Sequence, residues 1–129
     1  MEKKKILIID DEEQFTKIVK LNLEHTGKYE VRTENRGALG LAAAKEFKPD
    51  LILLDILMPD MEGSEVSAQF KNDKDTENIP FVFLTAIAKK EEIEASQGVI
   101  GGHLFIAKPV SVKELTDCIE KILANRSPR

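Results

Sequence analysis

The chain has 129 residues, the length of one ordinary domain that buries about two-thirds of its unfolded surface around a single core. Hydrophobic residues make up 42% and charged residues 33% of the sequence, which excludes a disordered or membrane-embedded chain. The net charge of −4 disfavours direct binding to nucleic acid, because such binding depends on cationic side chains that displace counterions from phosphates.

The N-terminus and the cysteine content indicate a cytoplasmic location. Lys3, Lys4 and Lys5 precede only four apolar residues before Asp10, which is too short a run for a signal-peptide core or a membrane span. The single cysteine, Cys118, cannot form an internal disulfide and is expected to be a small buried hydrophobe. We therefore expect a protein of the reducing cytoplasm with no membrane association.

Five short segments predict β-strands. Three of them are continuous apolar runs bounded by polar residues, a pattern typical of strands that are buried on both faces of a sheet. These three are Lys5–Asp10, Asp50–Asp55 and Pro80–Thr85, and the other two are Leu104–Ala107 and the weaker, alternating Tyr29–Thr33.

Segments with helical spacing lie between these strands. The first has apolar residues at Phe15, Ile18, Val19 and Leu23, followed by Gly27 as a stop; the second has Ala38, Leu41, Ala44 and Phe47, followed by Pro49. A fourth helix over 89–97 is weakly apolar. The last helix is the clearest, because Ser111 and Glu114 have the spacing of a capping box ahead of Val112, Leu115, Ile119 and Ile122.

The alternation of strand and helix predicts a doubly wound α/β fold, a parallel sheet covered by helices on both faces. The sequence shows no internal repeat and no linker rich in Pro, Gly or Ser. We expect one domain over residues 1–125, a short tail over 126–129, and no attached output domain.

Polar side chains are expected to meet at one edge of this sheet, since ligands in such folds bind outside the carboxyl ends of the strands. The residues at those ends are Asp10 and Asp11, Asp55, Thr85 and Lys108. Three carboxylates held close together repel one another, so they need raised pKa values or a divalent cation. Carboxylate oxygens suit Mg²⁺, whereas no His or Cys has the spacing of a zinc ligand.

Taken singly, these residues have ordinary structural interpretations. The acidic residues 10–12 could serve only the N-terminus of the next helix, Thr85 could be a strand-end hydroxyl, and Lys108 a surface lysine. Asp55 lies well before the next helix and has no such explanation. The joint placement of carboxylates, a hydroxyl and a lysine is typical of a phosphoryl-transfer site in which an aspartate is the nucleophile.

At these positions the sequence resembles the receiver domains of bacterial response regulators, over nearly the whole chain from Lys5 to about Leu123. The motifs that carry the resemblance are Ile8–Glu12, Leu54–Gly63, Leu84–Ala86 and Phe105–Pro109. The resemblance implies a flavodoxin-like (βα)5 fold with strand order 2-1-3-4-5. It also implies a phosphorelay switch rather than an enzyme.

The resemblance further implies a role for each site residue. Asp55 would accept a phosphoryl group from a phosphohistidine on a sensor histidine kinase or histidine phosphotransferase. Mg²⁺ would be bound by Asp10, Asp11, Asp55 and the backbone carbonyl of Leu57. Thr85, Ala86 and Lys108 would bind the phosphoryl group, and Lys108–Pro109 would be a cis peptide.

By the same resemblance, Thr85 would move toward the phosphate while the ring of Phe105 turns inward. This would alter the face formed by the fourth predicted helix, the fifth strand and the last helix, where an unidentified downstream protein would bind. Phe105 is equally consistent with a plain core aromatic. The chain departs from the family over residues 98–103, so the loop before the fifth strand is expected to differ.

Two alternatives from other classes remain: a haloacid-dehalogenase-like phosphohydrolase and a degenerate receiver used only for docking. The hydrolase usually carries an acid two residues after its nucleophile, where this chain has Leu57. The complete site residues argue against the degenerate receiver. By the pattern of the receiver family, Leu57 and Ile87 would flank the path of the attacking water. Because neither side chain can accept a hydrogen bond, we expect slow self-dephosphorylation.

Overall fold

The computed structural model describes residues 3–86, 99–100, 103–108 and 111–124. The strands are β1 (Lys4–Ile9), β2 (Tyr29–Glu34), β3 (Leu51–Asp55), β4 (Phe81–Thr85), β5 (Val99–Ile100) and β6 (His103–Ala107). The helices are α1 (Glu13–His25), α2 (Gly40–Phe47, preceded by a 3-10 turn at Gly37–Leu39), α3 (Gly63–Lys71) and α4 (Val112–Ala124). The predicted helix over 89–97 lies outside the described residues, so α4 is the last predicted helix.

The strands form one sheet in the order β2-β1-β3-β4-β6-β5. The pairs along β2-β1-β3-β4-β6 are all parallel, and β6 is the fifth strand predicted from the sequence. The expected flavodoxin-like order 2-1-3-4-5 is therefore confirmed. The two-residue β5, which pairs antiparallel with β6 at the edge, was not predicted; it falls in the segment that departs from the family pattern.

The continuous apolar runs form strands because both faces of the sheet are covered. Leu51, Ile52, Leu53 and Leu54 of β3 are all fully buried, with successive side chains on opposite faces. One core cluster packs the sheet against α1 and α4 and includes Ile8, Leu53, Leu23 and Ile119. The other packs it against α2 and α3 and includes Ile9, Leu54, Ala44 and Phe70.

Several helix ends follow the sequence signals. Gly27 after α1 has φ +79°, a conformation that a glycine adopts without strain. Ser111 Oγ accepts a hydrogen bond from the Glu114 amide at 3.0 Å, as the predicted capping box requires. α2 stops with Lys48 at φ 55°, directly before Pro49. None of the helices in the described part of the chain combines the length and apolar character needed to cross a membrane.

The strand register brings the chemically active residues to one edge. Ile9 of β1, followed by Asp10, pairs with Leu54, so Asp10 and Asp55 end neighbouring strands. Further along the sheet, Asp55 pairs with Leu84, and Thr85 pairs with Ala107. Residues 10, 55, 85 and 108 therefore surround the carboxyl edge of four adjacent strands.

Candidate functional site

The carboxyl ends of β1, β3, β4 and β6 enclose a cavity of about 220 Å³. Six of its lining residues are those that the sequence predicts: Asp11, Asp55, Leu57, Thr85, Ala86 and Lys108. The seventh is Glu12, which the sequence suggests only as a residue of a helix N-terminus. A larger cavity of about 380 Å³ lies near the start of β1 and β2, and its lining includes Lys4, Lys28, Tyr29 and Glu120.

Three carboxyl groups converge in the site. One carboxylate oxygen from each of Asp10, Asp11 and Asp55 lies within 4.8 Å of the other two. Asp10 is fully buried and Asp55 is only 6% exposed, so water does little to screen their charges from each other. The carboxylates therefore repel one another when they are ionised.

The ammonium group of Lys108 lies among these carboxylates, but it is not closest to Asp55. Its Nζ atom is 2.6 Å from Asp10 Oδ2 and 2.7 Å from Glu12 Oε1, and the distance to Asp55 Oδ1 is 3.9 Å. The ring of Phe15 lies 4.7 Å from the same atom, within cation–π range. Lys108 is thus held on the α1 side of the cavity.

These surroundings change the acidity of the site residues. Burial, followed by the charge of Asp10, raises the pKa of Asp55 from 3.8 to about 7, and Lys108 only partly offsets this. Burial also raises the pKa of Asp10. For Lys108, burial disfavours the charge, but the interactions with Asp10 and Glu12 outweigh burial and raise its pKa.

Local hydrogen bonds fix the acidic turn that follows β1. Asp10 Oδ1 accepts a hydrogen bond from the Glu12 amide at 3.0 Å, and the side chain of Asn35 donates to the Asp10 carbonyl at 2.8 Å. Glu12 is the N-cap residue of α1, yet its side chain makes no capping hydrogen bond. Helix capping therefore does not account for the Glu12 carboxylate, which contacts Lys108 instead.

Hydrogen bonds fix the loop that follows Asp55. The Gly63 amide at the end of the loop donates to the Ile56 carbonyl at its start at 2.8 Å, which closes the loop on itself. The Asp60 carboxylate accepts hydrogen bonds from the amides of Gly37 and Ala38 at 3.1 and 2.9 Å. These contacts, led by the one with Ala38, hold the pKa of Asp60 below its ordinary value. The Asp60 side chain thereby ties this loop to the turn before α2.

The remaining predicted residues occupy different positions around the cavity. Thr85 is 1% exposed, and its carbonyl accepts the Lys108 amide at 2.8 Å. Leu57 is 54% exposed at the rim. The ring of Phe105 is partly buried, with its centroid 5.3 Å from that of Phe83, as either a switch or a core aromatic could be. Ile87 and Pro109 lie outside the described residues.

The donor set fits a hard divalent cation. Asp10 Oδ2 is buried and accepts no hydrogen bond from a described residue; its 2.6 Å contact with Lys108 is an ion pair that lacks hydrogen-bond angles. Clustered carboxylate oxygens are ligands that Mg²⁺ prefers, and the ion would offset the repulsion among them. The residues present therefore fit this ion, and Asp10, Asp11 and Asp55 are the side chains that would hold it.

Sequence reasoning missed the contacts that Glu12 and Phe15 make with Lys108. Glu12 is the N-cap of α1 and Phe15 lies in its first turn, and Lys108 is 96 positions from Glu12 along the chain. An acidic residue at a helix start and an apolar residue on a core face each have an ordinary explanation, so neither gives a signal of this contact.

This fold and this site define a class of protein, and the chain matches the family model for the response regulator receiver domain over residues 6–120. The chain belongs to the response regulator receiver domain family. The match covers every described strand from Ile6 onward and, within the described part of the chain, each residue that lines the site.

Individual relatives are similar over nearly all of this chain. The alkaline phosphatase synthesis transcriptional regulatory protein PhoP of Bacillus subtilis is 37% identical over 93% of this chain, which spans 48% of PhoP. The polar-differentiation response regulator DivK of Brucella anthropi is 36% identical over 95% of this chain and 98% of its own length.

Solved structures agree with the fold. A CheY-like receiver domain protein from Methanospirillum hungatei is 30% identical, with a TM-score of 0.78 and 95% of each chain covered. The chemotaxis protein CheY4 of Vibrio cholerae is 26% identical, with a TM-score of 0.79 over 94% of this chain and 99% of its own.

Proposed function

We propose that this receiver domain is a Mg²⁺-dependent switch that accepts a phosphoryl group on Asp55. The donor would be a phosphohistidine on a sensor histidine kinase or a histidine phosphotransferase. The observation that carries the proposal is the convergence of Asp10, Asp11 and Asp55 within 4.8 Å, with the Lys108 ammonium 3.9 Å from Asp55. A divalent metal ion, a nucleophilic carboxylate and a lysine ammonium are the parts that phosphoryl transfer requires.

In the proposed reaction an oxygen of the Asp55 carboxylate attacks the phosphorus atom of the donor. A new P–O bond forms while the bond from phosphorus to the donor breaks, and the leaving group keeps that electron pair. When the donor is a phosphohistidine, the leaving imidazole nitrogen then takes a proton from solvent. The product is an aspartyl phosphate, a mixed anhydride.

The site residues would share the work of neutralising charge. Asp10, Asp11, Asp55 and the backbone carbonyl of Leu57 would hold Mg²⁺, which supplies charge neutralisation and orientation of phosphoryl oxygens. Lys108 would pair with a phosphoryl oxygen that the ion leaves exposed.

Around that charge, the Thr85 hydroxyl and the Ala86 amide would donate hydrogen bonds to the phosphoryl group. Thr85 and Phe105 would then transmit the change to the face that includes β6 and α4, where a downstream protein would dock. Leu57 and Ile87 offer no group that activates water, so the phosphoryl group would be lost slowly.

The first test is phosphoryl uptake by the purified chain, measured by intact mass in Mg²⁺ and a small acyl phosphate such as acetyl phosphate. The wild-type chain is expected to gain one phosphoryl mass and Asp55→Asn to gain none, because the amide oxygen is not a nucleophile. Asp75→Asn is the matched control, since Asp75 is 68% exposed and pairs with Lys45, which does not line the site.

Equal uptake by Asp55→Asn would refute the assignment of the acceptor. A folded wild-type chain that takes up no phosphoryl group from acetyl phosphate or a phosphohistidine donor would favour a docking module instead.

A further inference from the structure

Lys108 is proposed to act at Asp55, but its nearest partners are other residues. Its ammonium nitrogen lies 2.6 Å from an oxygen of Asp10 and 2.7 Å from an oxygen of Glu12, while the nearest Asp55 oxygen is 3.9 Å away. A charge-assisted hydrogen bond has a length of about 2.8 Å, so Lys108 must move by about 1 Å to bond the Asp55 carboxylate.

Of these two partners, Asp10 is a proposed Mg²⁺ ligand, but Glu12 has no other assigned role. The Glu12 side chain is 62% exposed, whereas that of Lys108 is 10% exposed. A carboxylate so exposed is well solvated without a partner, while the buried ammonium depends on protein oxygens. The contact therefore matters mainly for where Lys108 lies.

Phe15, in the first turn of α1, favours the same position of Lys108. Its ring lies 4.7 Å from Lys108 Nζ, and its side chain packs against the core cluster between the sheet and α1. The start of α1 thus offers the ammonium both a carboxylate and an aromatic face.

We propose that Glu12 is a positioning residue that holds Lys108 on the α1 side, so that phosphoryl transfer to Asp55 requires Lys108 to leave it. The inference rests on the proposed function, because it concerns the lysine of the same site. The Glu12 contact stabilises the unphosphorylated arrangement and competes with the incoming phosphoryl group for the same cation. Glu12 therefore slows phosphoryl uptake without touching the reacting atoms.

The test compares Glu12→Gln with the wild-type chain in rate of phosphoryl uptake from acetyl phosphate at fixed, saturating Mg²⁺. Because a half-exposed ion pair contributes little, we expect a faster rate constant by roughly two- to fivefold. Glu12→Asp keeps the charge but shortens the side chain, so it should also be faster. Glu13→Gln removes an exposed charge from the first turn of α1 and should match the wild type.

A second readout does not depend on phosphorylation. In crystal structures of the unphosphorylated proteins, Lys108 Nζ should lie nearer to Asp55 in Glu12→Gln than in the wild type and in Glu13→Gln. A merely structural role of Glu12 would leave this distance unchanged.

Three results would overturn the inference: an unchanged rate in Glu12→Gln, an equal increase in Glu13→Gln, or a wild-type rate in Glu12→Asp. An equal increase in Glu13→Gln or a wild-type rate in Glu12→Asp would mean that the rate depends on negative charge near the site and not on the contact between Glu12 and Lys108. If the wild-type chain takes up no phosphoryl group, the proposed function fails. The position of Lys108 in the crystal structures then still decides whether Glu12 holds it.

Discussion

At the scale of single residues, Asp55 is the site residue whose ionisation is made most unfavourable by the fold. Its pKa rises from 3.8 to about 7 in the fold, through burial first and the charge of Asp10 second. Between these two values the folded chain binds more protons than the unfolded chain at this position. The contribution of Asp55 to stability therefore falls as pH rises from about 4 to 7, and changes no further above that.

This sign leads to a prediction for the metal-free protein. Asp55→Asn should match the wild type in free energy of unfolding near pH 4 and exceed it at pH 8, by on the order of 1–3 kcal/mol, because the amide is never charged. Urea unfolding in the presence of a chelator at both pH values measures the difference. Asp75→Asn, which changes an exposed carboxyl, should show no such gain.

A difference between Asp55→Asn and the wild type that stays constant from pH 4 to pH 8 would contradict the raised pKa. A gain that appears only at low pH would reverse its sign.

At the scale of elements, the loop between β3 and α3 has to fold back closely on the residue that it follows. A Cβ atom at Gly63 would lie 2.4 Å from the Asp55 carbonyl oxygen and 2.9 Å from Ile56 Cα. Both are backbone atoms, which cannot rotate away as a side-chain end can. Glycine is therefore required here for close approach, and the start of α3 is linked to the position of Asp55.

We predict that Gly63→Ala lowers the free energy of unfolding by about 1–3 kcal/mol and also reduces phosphoryl uptake, since the backbone at Asp55 must shift. Gly27→Ala is the control, because Gly27 has φ +79° with open space around it. It should lose about 1 kcal/mol through backbone strain and keep normal uptake. Thermal unfolding measures the loss of stability, and intact mass measures phosphoryl uptake. Equal uptake by both variants would show that the start of α3 does not affect the position of Asp55.

The elements differ in how far the sequence predicts them. β1 and β3 are continuous apolar runs, and burial on both faces leaves few alternatives for such segments. α3 has a weaker signal, because its buried residues include the small Gly63 and Ser67 beside Val66 and Phe70. β5 has only two residues and depends on pairing with β6, which no local pattern specifies.

At the scale of the whole molecule, the site exists only because distant segments meet at one edge of the sheet. Strand ends are visible in the sequence, so the convergence of Asp10, Asp55 and Lys108 could be predicted from topology alone. The contact of Lys108 with Glu12 could not be predicted in this way, because it depends on side-chain conformations within a few ångströms. The Glu12 contact is therefore a property of the folded chain that topology leaves open.

Because Asp10 and Asp11 follow β1 and Asp55 ends β3, an ion bound to all three would exist only in the folded state. Binding would then stabilise the entire domain by mass action, by about 1.4 kcal/mol at tenfold the dissociation constant. For a chain of this length we expect a rise in Tm of roughly 4–8 °C at pH 8, where Asp55 is ionised.

Asp11→Asn should lose most of that rise, and Asp75→Asn should keep it. Differential scanning calorimetry with MgCl2, against NaCl of equal ionic strength, separates binding from screening. An equal rise in NaCl, or an undiminished rise in Asp11→Asn, would place the ion elsewhere than among these carboxylates.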